Sequence, residues 1–436
     1  MKRALIITYY WPPSGGAGVQ RWLKFVKYLR AYGWEPVVYT PENPESPESD
    51  PSLLRDIPPD LEVVRYPIWE PYSAYKRFLG RKKEEKVQAA FLSEEKKNRR
   101  AEGLSVWIRG NFFIPDARKF WIRPSVKFLL SRLKDHPADL IVSTGPPHSM
   151  HLIAQQVASR TSIPWLADFR DPWTQIDFYK DLKLTSLADA RHRRLEKSVL
   201  QHANAVSVIS PTMAEDFQSI FPRKYEVITN GYDEEDTGRE VAEPDPAFSI
   251  AHIGTLTGTR NPVVLWQALK ELLVTEPGLR NDLRIKLVGK VDHSVTTALG
   301  AHGLTEFTER MEYLPHNDVI RIQQASRVLL LLINNTQNSK GILTGKFFEY
   351  LAARRPILCI GPPDGDAAAI LRQTNSGLIS DFDDITQTRI NIQSYYRQFR
   401  ENSLSIHSRD IEQYSRKALT GKMALLMDSL LRLNQV

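Results

Sequence analysis

Residues 1–40 read MKRALIITYYWPPSGGAGVQRWLKFVKYLRAYGWEPVVYT: an apolar run, a glycine loop, an amphipathic stretch and a second apolar run. Ala4–Tyr9 and Pro36–Tyr39 are continuously apolar rather than alternating, as strands covered on both faces of a parallel sheet are. Val19–Ala31 between them repeats its apolar residues at helical spacing. The same alternation continues outward. Strands are expected at Leu140–Ser143, Trp165–Ala167, Ala205–Ile209 and Glu226–Thr229, with helices at Ser149–Arg160 and Ser186–His202. A second series has strands at Ser249–Ile253, Arg284–Val288, Val328–Ile333 and Ile357–Ile360, and helices at Pro262–Leu273, Asp318–Ala325, Lys346–Ala353 and Asp366–Gln373. The acidic stretch Tyr232–Pro246 (YDEEDTGREVAEPDP) separates the two series. This predicts an α/β chain of two domains, 1–235 and 246–436. The amphipathic helix Ser408–Leu433 is assigned to the second, packing near the junction. Glu42–Pro59 holds prolines at 44, 47, 51, 58 and 59 and is excluded from regular structure.

Composition narrows the class. Of 436 residues, 42% are apolar and 25% charged, which excludes a disordered or low-complexity chain. A single cysteine, Cys359, excludes a disulfide framework and fits a reducing, cytoplasmic compartment. No apolar run is long enough to cross a bilayer, and the N-terminal run is too short for a signal segment. The net charge of +7 is local: Lys76–Lys134 carries 17 Lys+Arg against 6 Asp+Glu, so the remaining chain is acidic on balance. Phe91, Trp107, Phe112, Phe113, Phe120, Trp121 and Phe128 interleave with these cations. A basic helical insertion at about 70–135 has two open readings. One is a solvated face; the other is a surface for anionic lipid at the inner face of the cytoplasmic membrane. Nucleic acid lacks any supporting motif.

Five motifs follow strands, where ligands of open α/β sheets bind. SGGAG (Ser14–Gly18) opens a helix, so Gly15 and Gly16 would let backbone amides approach an oxyanion. It is not the dinucleotide fingerprint, because position 21 is Arg and no acid ends the second strand at Tyr39-Thr40. STGPPHSMH (Ser143–His151) puts His148 at a strand end, either as a helix-start residue or facing substrate. ADFRDPW (Ala167–Trp173) reads as an Asp168–Arg170 structural pair, leaving Asp171 for an acceptor hydroxyl. GTLTGTRNP (Gly254–Pro262) repeats the strand–loop–helix design, with Gly254 and Thr255 in the loop and Arg260 at the helix start. KGILTGKFFEYLAARRP (Lys340–Pro356) opens a helix at Thr344-Gly345. Lys346 sits in its first turn, where a cation opposes the helix dipole, which suggests an anionic ligand. Glu349 is placed either to accept the hydroxyls of a ribose or to pair with Lys346 at i,i+3. Zinc-ligand spacing, a Walker A loop and a nucleophile elbow are all missing. Asp364-Gly365-Asp366 reads as a helix cap rather than a metal site.

In this order, SGGAG, NGYD (Asn230–Asp233), GTLTGTR and KFFEYLAARRPIL resemble the retaining glycosyltransferases of family 4, which have the GT-B fold. Where that family has G-R-L-x-x-x-K, this chain has Thr255 for the first basic residue and Arg260 for the second. Where it has two glutamates eight positions apart, this chain has Gly341 and Glu349. The resemblance implies two Rossmann-like domains facing a cleft. The second would bind a nucleotide diphosphate sugar through Gly254, Thr255, Arg260, Thr344, Gly345, Lys346 and Glu349, helped by Gly15 and Gly16. The first would bind a sugar or lipid-linked acceptor through His148, Arg170 and Asp171. Arg260 and Lys346 would stabilise the leaving diphosphate without a metal or other cofactor, with Asp171 and His148 beside the reacting hydroxyl. Two alternatives remain open: a GT-B sugar-nucleotide epimerase, and a non-catalytic binding protein on the same fold.

Overall fold

The computed structural model describes residues 1–45, 49–70, 99–236, 242–312 and 314–433. It divides into two compact units: Met1–Thr229 together with the C-terminal helix from Arg416, and Asn230–Ser415. Lys82, Lys83, Lys96 and Lys97 of the basic segment, and positions 237–241 of the expected linker, lie outside the described residues.

In the first unit the order is β1 (Lys2–Ile7), α1 (Ala17–Leu29), β2 (Trp34–Pro41), β3 (Glu62–Tyr66), α2 (Arg99–Phe112), α3 (Lys119–Asp135), β4 (Leu140–Gly145), α4 (Ser149–Thr161), β5 (Trp165–Phe169), α5 (Ser186–His202), β6 (Ala205–Val208), α6 (Pro211–Ile220) and β7 (Glu226–Val227). The sheet order is β3-β2-β1-β4-β5-β6-β7, all pairs parallel. Ile6 of β1 is flanked by Val38 on one side and Val142 on the other. All three are fully buried, which is why these strands read as continuous apolar runs.

The second unit has β8 (Phe248–Ile253), α7 (Val263–Thr275), α8 (Leu279–Asp282), β9 (Leu283–Val288), α9 (His293–Ala301), β10 (Thr308–Met311), α10 (His316–Ala325), β11 (Val328–Leu332), α11 (Gly345–Ala352), β12 (Ile357–Ile360), α12 (Asp366–Thr374), β13 (Gly377–Ser380) and α13 (Ile385–Arg400). Its sheet, order β10-β9-β8-β11-β12-β13, is also all parallel. Strands β3, β10 and β13 were not expected from sequence; each is an edge strand, and none is a continuous apolar run. The proline-rich stretch also departs from expectation, because Pro51–Asp56 forms a short 3-10 helix.

The last helix, α14 (Arg416–Leu433), leaves the second unit and packs in the first. Leu419, Met423, Met427 and Leu430 join Val19, Trp22, Val26 and Leu29 of α1 in one buried cluster. Each such side chain contributes about 1.5–3 kcal/mol of burial. The Trp34 indole donates to Asp428 (2.9 Å), and Tyr32 donates to the Lys417 carbonyl (2.9 Å). Sequence periodicity gives an apolar face but no address for it, so the assignment of this helix to the second domain is corrected.

A buried ion pair ties the first unit together. Arg21 donates to Asp168 through Nε (3.0 Å) and Nη2 (2.7 Å), and its Nη1 and Nη2 also donate to the carbonyls of Thr229 and Ile228 (both 2.8 Å). Asp168 further accepts from Trp22 Nε1 (2.7 Å), Thr144 (3.1 Å) and Ser207 (2.8 Å). The expected Asp168–Arg170 pair is therefore replaced by Asp168–Arg21. Burial alone would raise the Asp168 carboxyl, but Arg21, Trp22 and Ser207 hold it below the ordinary carboxylate range. Asp168→Asn, which leaves Arg21 buried and unpaired, should destabilise the first unit by about 3–5 kcal/mol. Urea unfolding followed by tryptophan fluorescence reads this unit, since only Trp266 of the nine tryptophans lies in the other. Because the native carboxyl is depressed, the difference from wild type should hold at neutral pH and shrink as pH falls below about 4. A constant difference down to pH 3 would mean the pair is not the source.

Candidate functional site

In the second unit, the motif residues gather at the carboxyl end of β8. Gly254 follows the strand with φ +112°, a conformation open to glycine, and its amide donates to the Val288 carbonyl (2.7 Å). A Cβ at Gly254 would lie 2.8 Å from the Lys346 Nζ, so the absent side chain makes room for that ammonium. Thr344 precedes α11 with extended backbone but makes no side-chain cap, and its Oγ1 is buried without a hydrogen-bond partner. The first turn of α11 therefore keeps uncapped amides beside an orphaned hydroxyl and a cation, the donor set that an oxyanion requires.

Lys346 is pulled down to about 8, first by burial and then by the charge of Arg260, with Glu349 opposing. Arg260 ends a 3-10 turn (Gly258–Arg260), and its Nε donates to the Asn334 side chain just beyond β11. The Ile253 amide donates to the wholly buried Tyr350 hydroxyl (3.0 Å), which fixes α11 against β8 and sets the depth of Lys346. Gly254, Arg260, Thr344, Gly345 and Lys346 are thus brought together. The Thr255 side chain is exposed, while its backbone hydrogen-bonds the buried His252 ring. Glu349 is exposed one turn along the helix, where Gln323 donates to it (3.4 Å). Lys346 does not form the i,i+3 pair with Glu349; its ammonium lies 3.4 Å from His252 Nε2. Asp364 forms a salt bridge with Lys340 (2.5 Å) rather than capping a helix, and no cluster of metal-ligating residues occurs among the described residues.

In the first unit, Gly15 is buried and Gly16, at φ +88°, is exposed at the start of α1, whose first turn has no side-chain cap. Gly18 has the Arg170 Nη1 2.7 Å from where its Cβ would be, so helix and arginine meet only because that residue is glycine. Arg170 is buried; it donates to the Pro146 carbonyl, and its Nε has no hydrogen-bond partner. His148 stacks face to face on Trp173 (4.5 Å, 1°), and burial, reinforced by His151 and Arg170, holds its imidazole neutral. Sequence reasoning missed His151. Its Nδ1 lies 2.8 Å from Ser143 Oγ, which also accepts from Trp165 Nε1 (2.8 Å). That Nε2 and the His148 Nδ1 lie 2.6 and 3.1 Å from the missing Cβ of Gly145, both buried and unpartnered. Asp171 is half-buried; desolvation raises its carboxyl while Arg170 opposes. Strand ends β4 and β5 thus gather His148, Arg170 and Asp171 as the motifs implied, with His151 as a fourth member.

Residues 15–231 match the family described as glycosyl transferase 4-like domain. A search of curated proteins finds no match. Among solved structures, a glycosyltransferase from Rickettsia africae is similar over 99% of this chain and 98% of its own, at 12% identity and a TM-score of 0.62. WaaG, a glycosyltransferase involved in lipopolysaccharide biosynthesis, is similar over 97% and 99%, at 14% identity and a TM-score of 0.54. Anabaena HepE in complex with UDP-glucose is similar over 100% and 98%, at 11% identity and a TM-score of 0.53. With motifs at the carboxyl ends of two parallel sheets and likeness along its whole length, the chain has the GT-B fold, and its residues 15–231 are similar to the glycosyl transferase 4-like domain.

Proposed function

We propose that this GT-B glycosyltransferase moves a sugar from a nucleotide diphosphate sugar to an acceptor hydroxyl, with retention of configuration and without a metal ion. The observation that carries this reading is the half-buried Lys346 ammonium beside the uncapped start of α11 and the orphaned Thr344 hydroxyl. A cation in the first turn of a helix is unfavourable unless an anion joins it. A departing diphosphate supplies that charge. Lys346, Arg260 and the α11 amides then stabilise it as it develops, in a site where charge–charge interactions are stronger than in water. Glu349 holds the ribose. In the first unit, Asp171 faces the acceptor hydroxyl as the proton-accepting group, and His148 and Arg170 orient the acceptor. His148 is held neutral far below its usual range, which suits a hydrogen-bonding role better than proton transfer near neutral pH.

The acceptor we propose is lipid-linked or a polysaccharide precursor, met at an anionic membrane surface. No helix among the described residues is long and apolar enough to cross a membrane. The first unit exposes Trp69, Phe112 and Phe120. Trp69 packs edge-on against Phe120 (5.0 Å), and the Lys119 Nζ lies over the Phe120 and Phe113 rings (5.0 and 5.5 Å). Aromatics that dip into an interface beside cations that meet lipid headgroups give reversible peripheral binding, at about 1 kcal/mol per engaged cation.

Turnover with a panel of nucleotide sugars tests the first reading. Arg260→Ala and Lys346→Ala should each lower kcat/KM about 10²-fold or more. Wild-type activity should survive EDTA, and kcat/KM should decline as pH rises through about 8, where free Lys346 loses its proton. Wild-type rates in both variants would displace the site, and loss with EDTA restored by magnesium would overturn metal independence.

Flotation with vesicles tests the second. Binding to anionic vesicles should appear at low salt, weaken as salt rises, and drop in Trp69→Ser/Phe120→Ser/Lys119→Gln. No recovery on either kind of vesicle would remove the membrane contact, and equal recovery on both would remove the anionic headgroup from it.

A further inference from the structure

His252 lies on β8, two residues before Gly254, and is 1% exposed. Its Nδ1 is 3.1 Å from the Leu330 carbonyl on the neighbouring strand β11. Two backbone groups hydrogen-bond the ring, the stronger at Leu330 and the weaker at Thr255. A carbonyl oxygen only accepts, so the Leu330 contact puts the ring proton on Nδ1 and leaves the Nε2 lone pair for a donor. Lys346 Nζ stands 3.4 Å from that lone pair. The ammonium only donates, so the contact has one sense: Lys346 to His252. The other charged groups around Lys346 are Arg260, which repels it, and Glu349, exposed one turn along α11. Burial pulls the His252 imidazole down to about 3, with Lys346 and Arg260 adding to this and the Leu330 and Thr255 backbone groups opposing, so it stays neutral across the neutral range.

We infer that His252 is a positioning residue: the Leu330 carbonyl fixes its tautomer, and its Nε2 anchors the Lys346 ammonium, in the charged form, over the Gly254 backbone. This rests on the reading of Lys346 as a diphosphate ligand and adds the group that aims it. Three elements cooperate. β11 orients the ring, β8 carries it, and the glycine after β8 leaves space for the ammonium. A lysine in the first turn of a helix is otherwise driven outward by the amide dipoles. A buried acceptor on the strand beneath offsets that and limits the rotamers the long side chain would sample.

The test separates anchoring from packing. His252→Phe keeps the ring and removes the acceptor, whereas His252→Gln keeps an acceptor that can reach the Nε2 position. Lys346 is titrated by NMR of isotope-labelled lysine side chains, assigned with Lys346→Ala. A hydrogen bond to a charged group is worth about 1.5–3 kcal/mol. In His252→Phe the Lys346 midpoint should therefore fall by about one pH unit or more, while His252→Gln stays near wild type. In parallel, the affinity for a nucleoside diphosphate in calorimetry should drop about tenfold or more in His252→Phe. The alkaline limb of its pH profile should also move to lower pH. If Phe at 252 prevents folding, His252→Leu takes its place in the same comparison. An unchanged Lys346 titration in the acceptor-free variant, or an equal shift in His252→Gln, overturns the anchoring role. If wild type binds no nucleoside diphosphate while the titration shifts as stated, the anchoring stands and the glycosyltransferase reading of the site falls.

Discussion

The first unit depends on one buried contact, the Arg21–Asp168 pair. Its partners lie on α1, β4, β5, β6 and the chain segment that leaves the unit at 228–229. Two charges taken out of water are tolerated only when their remaining donors and acceptors are filled. Here Asp168 accepts from four side chains, and Arg21 fills two backbone carbonyls besides. The geometry of this network puts the start of α1 beside the ends of β4 and β5. Gly18 consequently meets Arg170 at the end of β5.

The two units solve similar problems differently. In the first, the buried nitrogens of His148, His151 and Arg170 collect around Gly145 and Gly18, and neutral imidazoles predominate. In the second, a true cation sits over Gly254 and is held by an imidazole that stays neutral. Burial drives both arrangements. It suppresses protonation of the histidines, whose charged form would be desolvated, and it draws the lysine to a range where an anion can hold its proton in place. A glycine at each closest approach supplies the room. Gly254 has the backbone conformation that excludes a side chain, and Gly145 and Gly18 have atoms where a Cβ would be.

Helices α11 and α14 also serve different ends. α11 is fixed from below by the Ile253–Tyr350 hydrogen bond and presents its N-terminus toward Gly254. α14 has nothing to present; it closes the apolar flank of α1 and β2 with Leu419, Met423, Met427 and Leu430. The chain thus crosses from the second unit back to the first to complete a core that the first series leaves open.

The alternation of strand and helix and most central strands follow from the sequence alone, whereas the division at Thr229 precedes the acidic stretch Tyr232–Pro246 where the sequence put it. Parallel strands buried on both faces must be continuously apolar, and that pattern is local. The glycine and basic motifs were also legible as patterns, because each follows a strand that the apolar runs identify, and the structure brings Gly254, Arg260, Thr344 and Lys346 together. Three things were decided only by tertiary structure. Edge strands β3, β10 and β13 are set by pairing with a neighbour, not by an apolar run of their own. The partner of Asp168 is an arginine 147 residues away, while the sequence offered a nearer one at 170. His252 reads as one more residue of a buried strand until β11 supplies the carbonyl that fixes its proton and α11 supplies the ammonium that meets its lone pair. Pattern identifies what a segment is; long-range contacts determine which groups meet and in what protonation state.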